Sequence, residues 1–126
     1  MPQVLIVDDE PHIVELIVEA LNERGVKVAS ALTDQDAFAL LERNAQDLSM
    51  LVTDINLGKG VTGFDVARKA RELNPALAIV YITGQPQKLE RFGVDGALLV
   101  EKPFPADEFA EKLVSLIPQK DPTEPT

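Results

Sequence analysis

Short runs of consecutive apolar residues alternate along this chain with longer stretches in which apolar residues return every three or four positions. The first pattern is that of a strand buried on both faces, the second that of an amphipathic helix. Val4–Val7 reads as a strand, and Pro11 starts a helix whose Ile13, Leu16, Ile17, Ala20 and Leu21 share one face. Gly25 ends that helix at the C′ position, and a second strand follows over Val26–Ala31. Thr33 with Asp36 reads as a capping box for a helix running to Arg43. Leu48–Thr53 is the third strand. A glycine-bearing loop, Gly58-Lys59-Gly60, then leads into a helix over Gly63–Leu73 with Val66, Ala67, Ala70 and Leu73 inward.

Pro75 separates that helix from the fourth strand, Ala78–Thr83. Beyond Thr83-Gly84 the pattern weakens. Gln85–Phe92 contains Pro86 and few apolar residues, so a fourth helix there is expected to be short or degenerate. Ala97–Val100 is the fifth strand and Pro105–Ile117 the last helix, with Phe109, Ala110, Leu113 and Ile117 on its inner face. Pro118–Thr126 carries prolines and no apolar run. It is expected to be a disordered tail, or the start of a linker, after a domain spanning residues 1–117.

Strand–helix units with near-continuous apolar strands imply an α/β fold, a parallel sheet covered by helices on both faces. Right-handed crossovers leave few topologies, and the flavodoxin-like (βα)5 doubly wound order 2-1-3-4-5 is one of the common ones. Its switch point lies between strands one and three, at their carboxyl ends. Asp8 and Asp9 follow the first strand, Asp54 the third, and Lys102 stands just beyond the fifth, while Thr83 ends the fourth. The topology therefore gathers these groups at one crevice.

The chain has 126 residues, enough for one domain. Its formal charge of −9 disfavours nucleic acid or an anionic membrane as a direct partner, and leaves a protein partner open. With no cysteine there is neither a thiolate metal site nor a thiol nucleophile. Met1-Pro2-Gln3 leads into a strand without a basic segment, so no signal peptide is expected. No apolar run approaches the ~20 residues of a membrane helix. A cytoplasmic location without membrane insertion is the expectation.

Crowded carboxylates repel one another, and a hard divalent cation relieves the repulsion. Mg²⁺ suits such a site, because it takes oxygen ligands and keeps coordination positions for water or substrate oxygens. With Mg²⁺ on Asp9 and Asp54, and Asp8 acting through water, phosphate charge is tolerated and Asp54 can be a carboxylate nucleophile. Lys102 supplies a flexible point charge for phosphoryl oxygens, and Thr83 a hydroxyl. Plain structural roles exist for each residue. Asp8 or Asp9 can cap a helix, Thr83 likewise, Asp54 can be a loop residue, and Lys102 a solvated strand end. Their joint occurrence at adjacent strand ends favours one site. His12, in a helix's first turn, reads as exposed, and Phe38, Phe64 and Phe109 as core.

Val7-Asp8-Asp9-Glu10-Pro11, Asp54-Ile55-Asn56-Leu57 with Gly63 downstream, Thr83-Gly84 and Lys102-Pro103-Phe104 together resemble the receiver domain of bacterial two-component response regulators, in its single-domain, CheY-like form. The match runs from Val4 to about Ile117. The resemblance implies that Asp54 accepts a phosphoryl group from a phosphohistidine on a sensor histidine kinase or a histidine phosphotransfer protein. It implies Mg²⁺ on Asp9, Asp54 and the backbone carbonyl of Asn56, with Asp8 assisting and Thr83 and Lys102 binding the phosphoryl oxygens. It also makes Lys102–Pro103 a candidate cis bond, and Asn56 and Gln85 the residues that tune slow autodephosphorylation. Output would be a switched surface for a downstream protein target, made by the fourth strand, the segment after it, the fifth strand and the last helix, with Gly84–Gly93 expected to move most.

Three features depart from the family pattern. Leu57-Gly58 replaces the usual Met-Pro, the segment between Thr83 and Lys102 is short, and Leu99 stands where an aromatic switch residue is usual. Tyr81, on the same strand face as Thr83, is the candidate substitute. Tyr81-Ile82-Thr83-Gly84 is also similar to single-domain receivers with a reduced fourth helix, although Gln85 differs from their usual aromatic. The alternative function is a receiver-like module that binds proteins without phosphorylation. A flavin phosphate would be repelled by Asp8-Asp9-Glu10. A free-standing hydrolase would need a second acid where Asn56 stands.

Overall fold

The computed structural model describes residues 3–55, 63–83 and 96–117. Five parallel strands form one sheet in the order β2-β1-β3-β4-β5, where β1 is Val4–Val7, β2 Val28–Ala31, β3 Met50–Asp54, β4 Ala78–Thr83 and β5 Leu98–Glu101. Four helices accompany them among the described residues: α1 Pro11–Asn22, α2 Asp34–Asn44, α3 Gly63–Leu73 and α4 Ala106–Leu116. This is the doubly wound, flavodoxin-like arrangement expected from the alternation of patterns. The expected degenerate helix between β4 and β5, the Gly84–Gly93 switch segment and the 118–126 tail lie outside the described residues.

The central strands β1, β3 and β4 are buried almost throughout because both faces of the sheet are covered there. On one face Val4, Ile6, Met50, Val52, Val80 and Ile82 pack beneath Val14, Ile17 and Leu21 of α1 and Phe109, Ala110 and Leu113 of α4. On the other, Leu5, Val7, Leu51, Ile79 and Tyr81 pack against Ala37 and Leu41 of α2 and Val66, Ala67 and Ala70 of α3. Each large side chain so buried contributes roughly 1.5–3 kcal/mol of transfer free energy. Leu16 departs from the expected inner face of α1. It is 53% exposed while Val14 is buried, because the face that meets the sheet is centred on Ile17.

Local hydrogen bonding explains where elements begin and end. Gly25, at φ +79°, donates to Asn22 O at 3.0 Å, and Val26 N–H returns to Leu21 O at 3.1 Å, a Schellman closure of α1. With its N–H committed there, Val26 cannot join the ladder, so β2 starts at Val28 rather than Val26. Leu48 is likewise tied to Ala45 O in a 3₁₀ turn over Ala45–Asp47, and β3 starts at Met50. Thr33 caps α2 by accepting the Asp36 N–H at 3.1 Å. β3 also runs one residue further than expected, making Asp54 its last residue rather than the first beyond it.

Candidate functional site

The carboxyl ends of β1, β3, β4 and β5 meet at one edge of the sheet. Asp8 follows β1 and is fully buried. Its Oδ1 accepts the Glu10 backbone N–H at 2.9 Å, fixing the turn into α1. Asp54, at the end of β3, is 6% exposed, and Thr83, at the end of β4, is buried. Asp54 is in register with Ile82, so Thr83 stands one residue further along the neighbouring strand. The Lys102 amide donates to Thr83 O at 2.8 Å, which carries the chain from β5 back toward the crevice. Lys102–Pro103 is cis. Asp9 is exposed at the rim, as is His12.

Gly63 sets the floor beside Asp54. Its N–H donates to Ile55 O at 2.7 Å, and a Cβ there would lie 1.9 Å from the Asp54 carbonyl oxygen. Only glycine lets the start of α3 approach β3 this closely.

The Lys102 ammonium holds the crevice together. Nζ donates to Asp54 Oδ2 at 2.8 Å and to Glu10 Oε1 at 3.0 Å. It stands 3.1 Å from Asp8 Oδ2, an ion-pair distance without hydrogen-bond alignment, so that buried oxygen has no hydrogen-bond partner among the described residues. Electrostatics follow from this geometry. Burial drives the Asp8 carboxyl up from its ordinary value; the Glu10 N–H pulls it back, and the Asp54 charge adds to the rise. Burial by itself would lower Lys102. Hydrogen bonds to Asp54 and Glu10, with the charges of Asp54 and Asp8, outweigh burial and hold it above the ordinary lysine range. Glu10 is held below the usual carboxylate range by its hydrogen bond to Lys102 and by the lysine charge.

Asp8, Asp9, Glu10 and Asp54 each offer a carboxylate oxygen, all within 4.8 Å of one another. An all-oxygen donor set, with one buried oxygen lacking a hydrogen bond, fits a hard divalent cation of the Mg²⁺ type. The structure thus brings together Asp8, Asp9, Asp54 and Lys102, with Thr83 on the adjoining strand end. Asn56 and Gln85 lie outside the described residues. Glu10 is the residue that pattern reading passed over. The available signal was its place directly after Asp8-Asp9, where the turn into α1 faces the same edge.

A basis for kinship now exists in both fold and site. Residues 4–114 match the response regulator receiver domain family. The chain belongs to that family. Among solved receivers, it superposes on a response regulator receiver protein from Sinorhizobium medicae with a TM-score of 0.83 and 29% identity, covering 91% of this chain and 93% of that one. A response regulator from Thermotoga maritima, TrrA, solved in complex with Mg²⁺ and BeF, matches with a TM-score of 0.76 and 30% identity over 93% of this chain and all of that one. The probable transcriptional regulatory protein TcrX of Mycobacterium tuberculosis is 32% identical over 117 residues, 90% of this chain but 49% of TcrX. The receiver chain thus spans about half the length of that relative. Among the described residues, no helix is long and apolar enough to cross a membrane.

Two receiver features bear on the departures noted in the sequence. Leu99 is in register with Tyr81, and both lie on the sheet face covered by α2 and α3. Tyr81 is fully buried and meets Phe64 of α3 edge-on, with ring centroids 5.2 Å apart. The aromatic ring on this face therefore belongs to β4, where β5 supplies an aliphatic side chain.

Proposed function

We propose that this receiver accepts a phosphoryl group on Asp54 from a phosphohistidine of a sensor kinase or phosphotransfer protein, and that residues 1–117 form the unit that does so. The observation that carries the reading is the convergence of Asp54, the carboxylates of Asp8 and Asp9, and the Lys102 ammonium within one crevice. In the transfer, the P–N bond to imidazole breaks, and imidazole leaves with the electron pair. A P–O bond forms to an Asp54 carboxylate oxygen. Lys102 holds the phosphoryl oxygens, and Thr83 offers its hydroxyl to another of them. Asp9 and Asp54 would hold Mg²⁺, with the Asn56 carbonyl as a further ligand and Asp8 acting through water. The cation supplies charge neutralisation between carboxylates and phosphate.

Phosphorylation adds charge and acceptor oxygens next to Thr83 and Lys102. Thr83 ends β4 and Lys102 follows β5, so their movement biases the surface that β4, β5 and α4 contribute, on which a downstream protein target would dock. A cytoplasmic site of action follows from a kinase partner. The deciding experiment incubates the protein with acetyl phosphate and reads intact mass, with and without Mg²⁺, in wild type and Asp54→Asn. A labile phosphoryl mass gain that needs both Mg²⁺ and Asp54 is expected. No gain in wild type would instead favour a receiver that binds its partner without phosphorylation.

A further inference from the structure

Glu10 sits at the N-cap of α1 with extended backbone, yet its side chain makes no capping hydrogen bond to the helix. Instead it turns across the crevice and accepts from Lys102 Nζ at 3.0 Å, on the same ammonium that donates to Asp54 Oδ2 at 2.8 Å. An ammonium carries three donors, and two are committed here to carboxylates on opposite sides. The two acceptors differ in exposure. The Glu10 side chain is 48% exposed and that of Asp54 8%, and the fully buried Asp8 Oδ2 also lies 3.1 Å from Nζ, so Lys102 faces two inner anions and one outer one.

We propose that Glu10 is a positioning residue acting through Lys102: it draws one donor of the ammonium outward, away from the oxygens of the crevice, and so restrains phosphoryl transfer to Asp54. This rests on the phosphoacceptor reading above. With acetyl phosphate as donor, the P–O bond to the acetyl oxygen breaks and acetate leaves with the electron pair. A P–O bond to an Asp54 oxygen forms. The phosphoryl oxygens then require the ammonium, and a donor committed to Glu10 is not available to them.

Two substitutions separate reach from charge. Glu10→Gln removes the charge. Glu10→Asp keeps it but shortens the side chain, and Asp is a favoured N-cap that turns to the helix N–H groups instead. Each is compared with wild type, alone and combined with Lys102→Ala, for the rate of phosphoryl incorporation from acetyl phosphate at saturating Mg²⁺. Matched circular dichroism spectra establish that every variant folds.

Both substitutions are expected to raise the rate roughly two- to fivefold, the range for a partly exposed ion pair. Neither should do so without Lys102. Acceleration by Glu10→Gln alone, or acceleration that persists without Lys102, would show a field effect of charge and overturn the proposal. Slower incorporation in Glu10→Gln would mark Glu10 as a cation ligand, and would overturn it too. Should Lys102→Ala stop incorporation altogether, the contrast between the two single substitutions decides. Absence of any Asp54-dependent mass gain in wild type defeats the phosphoacceptor reading itself, and this proposal with it. That result is distinct from a wild type that is labelled but indifferent to residue 10.

Discussion

Lys102 Nζ lies 2.8 Å from Asp54 Oδ2, joining residues 48 positions apart across the ends of β3 and β5. The same ammonium faces Asp8 and Glu10, so removing it leaves carboxylates opposed with no cation between them. Lys102→Ala is expected to lower stability by about 1 to 3 kcal/mol at neutral pH without Mg²⁺, less than for a fully buried pair because the lysine is partly exposed. Mg²⁺ should restore much of that loss by taking over the neutralising role. Urea denaturation midpoints of wild type and variant, with and without Mg²⁺, check this. An unchanged midpoint without Mg²⁺ would mean that the ion pairs contribute nothing to the resting fold.

Asp8 is a strained member of the group, a buried carboxylate with one oxygen lacking a hydrogen bond among the described residues. Its carboxyl titrates higher in the folded protein than the ordinary value of 3.8, chiefly through burial. The folded state therefore holds this proton more tightly than the unfolded chain. The stability it contributes is complete below about pH 3.8 and is lost as pH rises through the folded value. Asp8→Asn keeps the acceptor for the Glu10 N–H and removes the buried charge. It should stabilise the cation-free protein by about 1 to 2 kcal/mol at pH 7, flatten the pH dependence, and weaken Mg²⁺ binding. Thermal unfolding against pH, with a Mg²⁺ titration, tests both halves.

The strands and helices were legible because their apolar spacing is strong, Asp8, Asp54 and Thr83 because each ends or directly follows a buried strand, and Lys102 because it stands just past the end of β5. What pattern could not supply was the set of pairings made only in three dimensions. Leu16 fits the helical period as well as Val14 does, and only the angle at which α1 meets the sheet exposes one and buries the other. Glu10 belongs to the Asp8-Asp9-Glu10 run, but its pairing with Lys102 was not legible because that partner lies 92 positions away. Strand boundaries moved where a neighbouring turn consumed an N–H, as at Val26 and Leu48.

Gly63 offers a steric test of how the Asp54 end of β3 is placed. A methyl group there would overlap the Asp54 carbonyl oxygen at 1.9 Å, and backbone on both sides leaves no flexible side chain to yield. Gly63→Ala should cost roughly 3 kcal/mol, at the upper end of overpacking effects. The displaced end of β3 should also slow phosphoryl incorporation at Asp54. Denaturant unfolding paired with acetyl phosphate labelling reads the two effects. Normal stability would show that α3 can back away from β3 at little cost.

Leu16 provides a way to separate chemistry from partner docking. It is 53% exposed and lines a groove with Ile13, Phe104 and Pro103, beside Glu10 and Lys102. On the proposed function, a phosphohistidine donor protein would contact the surface around Asp54, of which this groove is the apolar part, whereas acetyl phosphate needs no protein contact. Leu16→Asp should leave stability within about 0.5 kcal/mol of wild type, as expected for an exposed position. It should leave acetyl phosphate labelling unchanged as well, and reduce transfer from a phosphorylated histidine donor protein roughly tenfold, the loss expected for a contact worth about 1.4 kcal/mol. Equal transfer rates for wild type and variant from such a donor would place the docking surface elsewhere on the receiver.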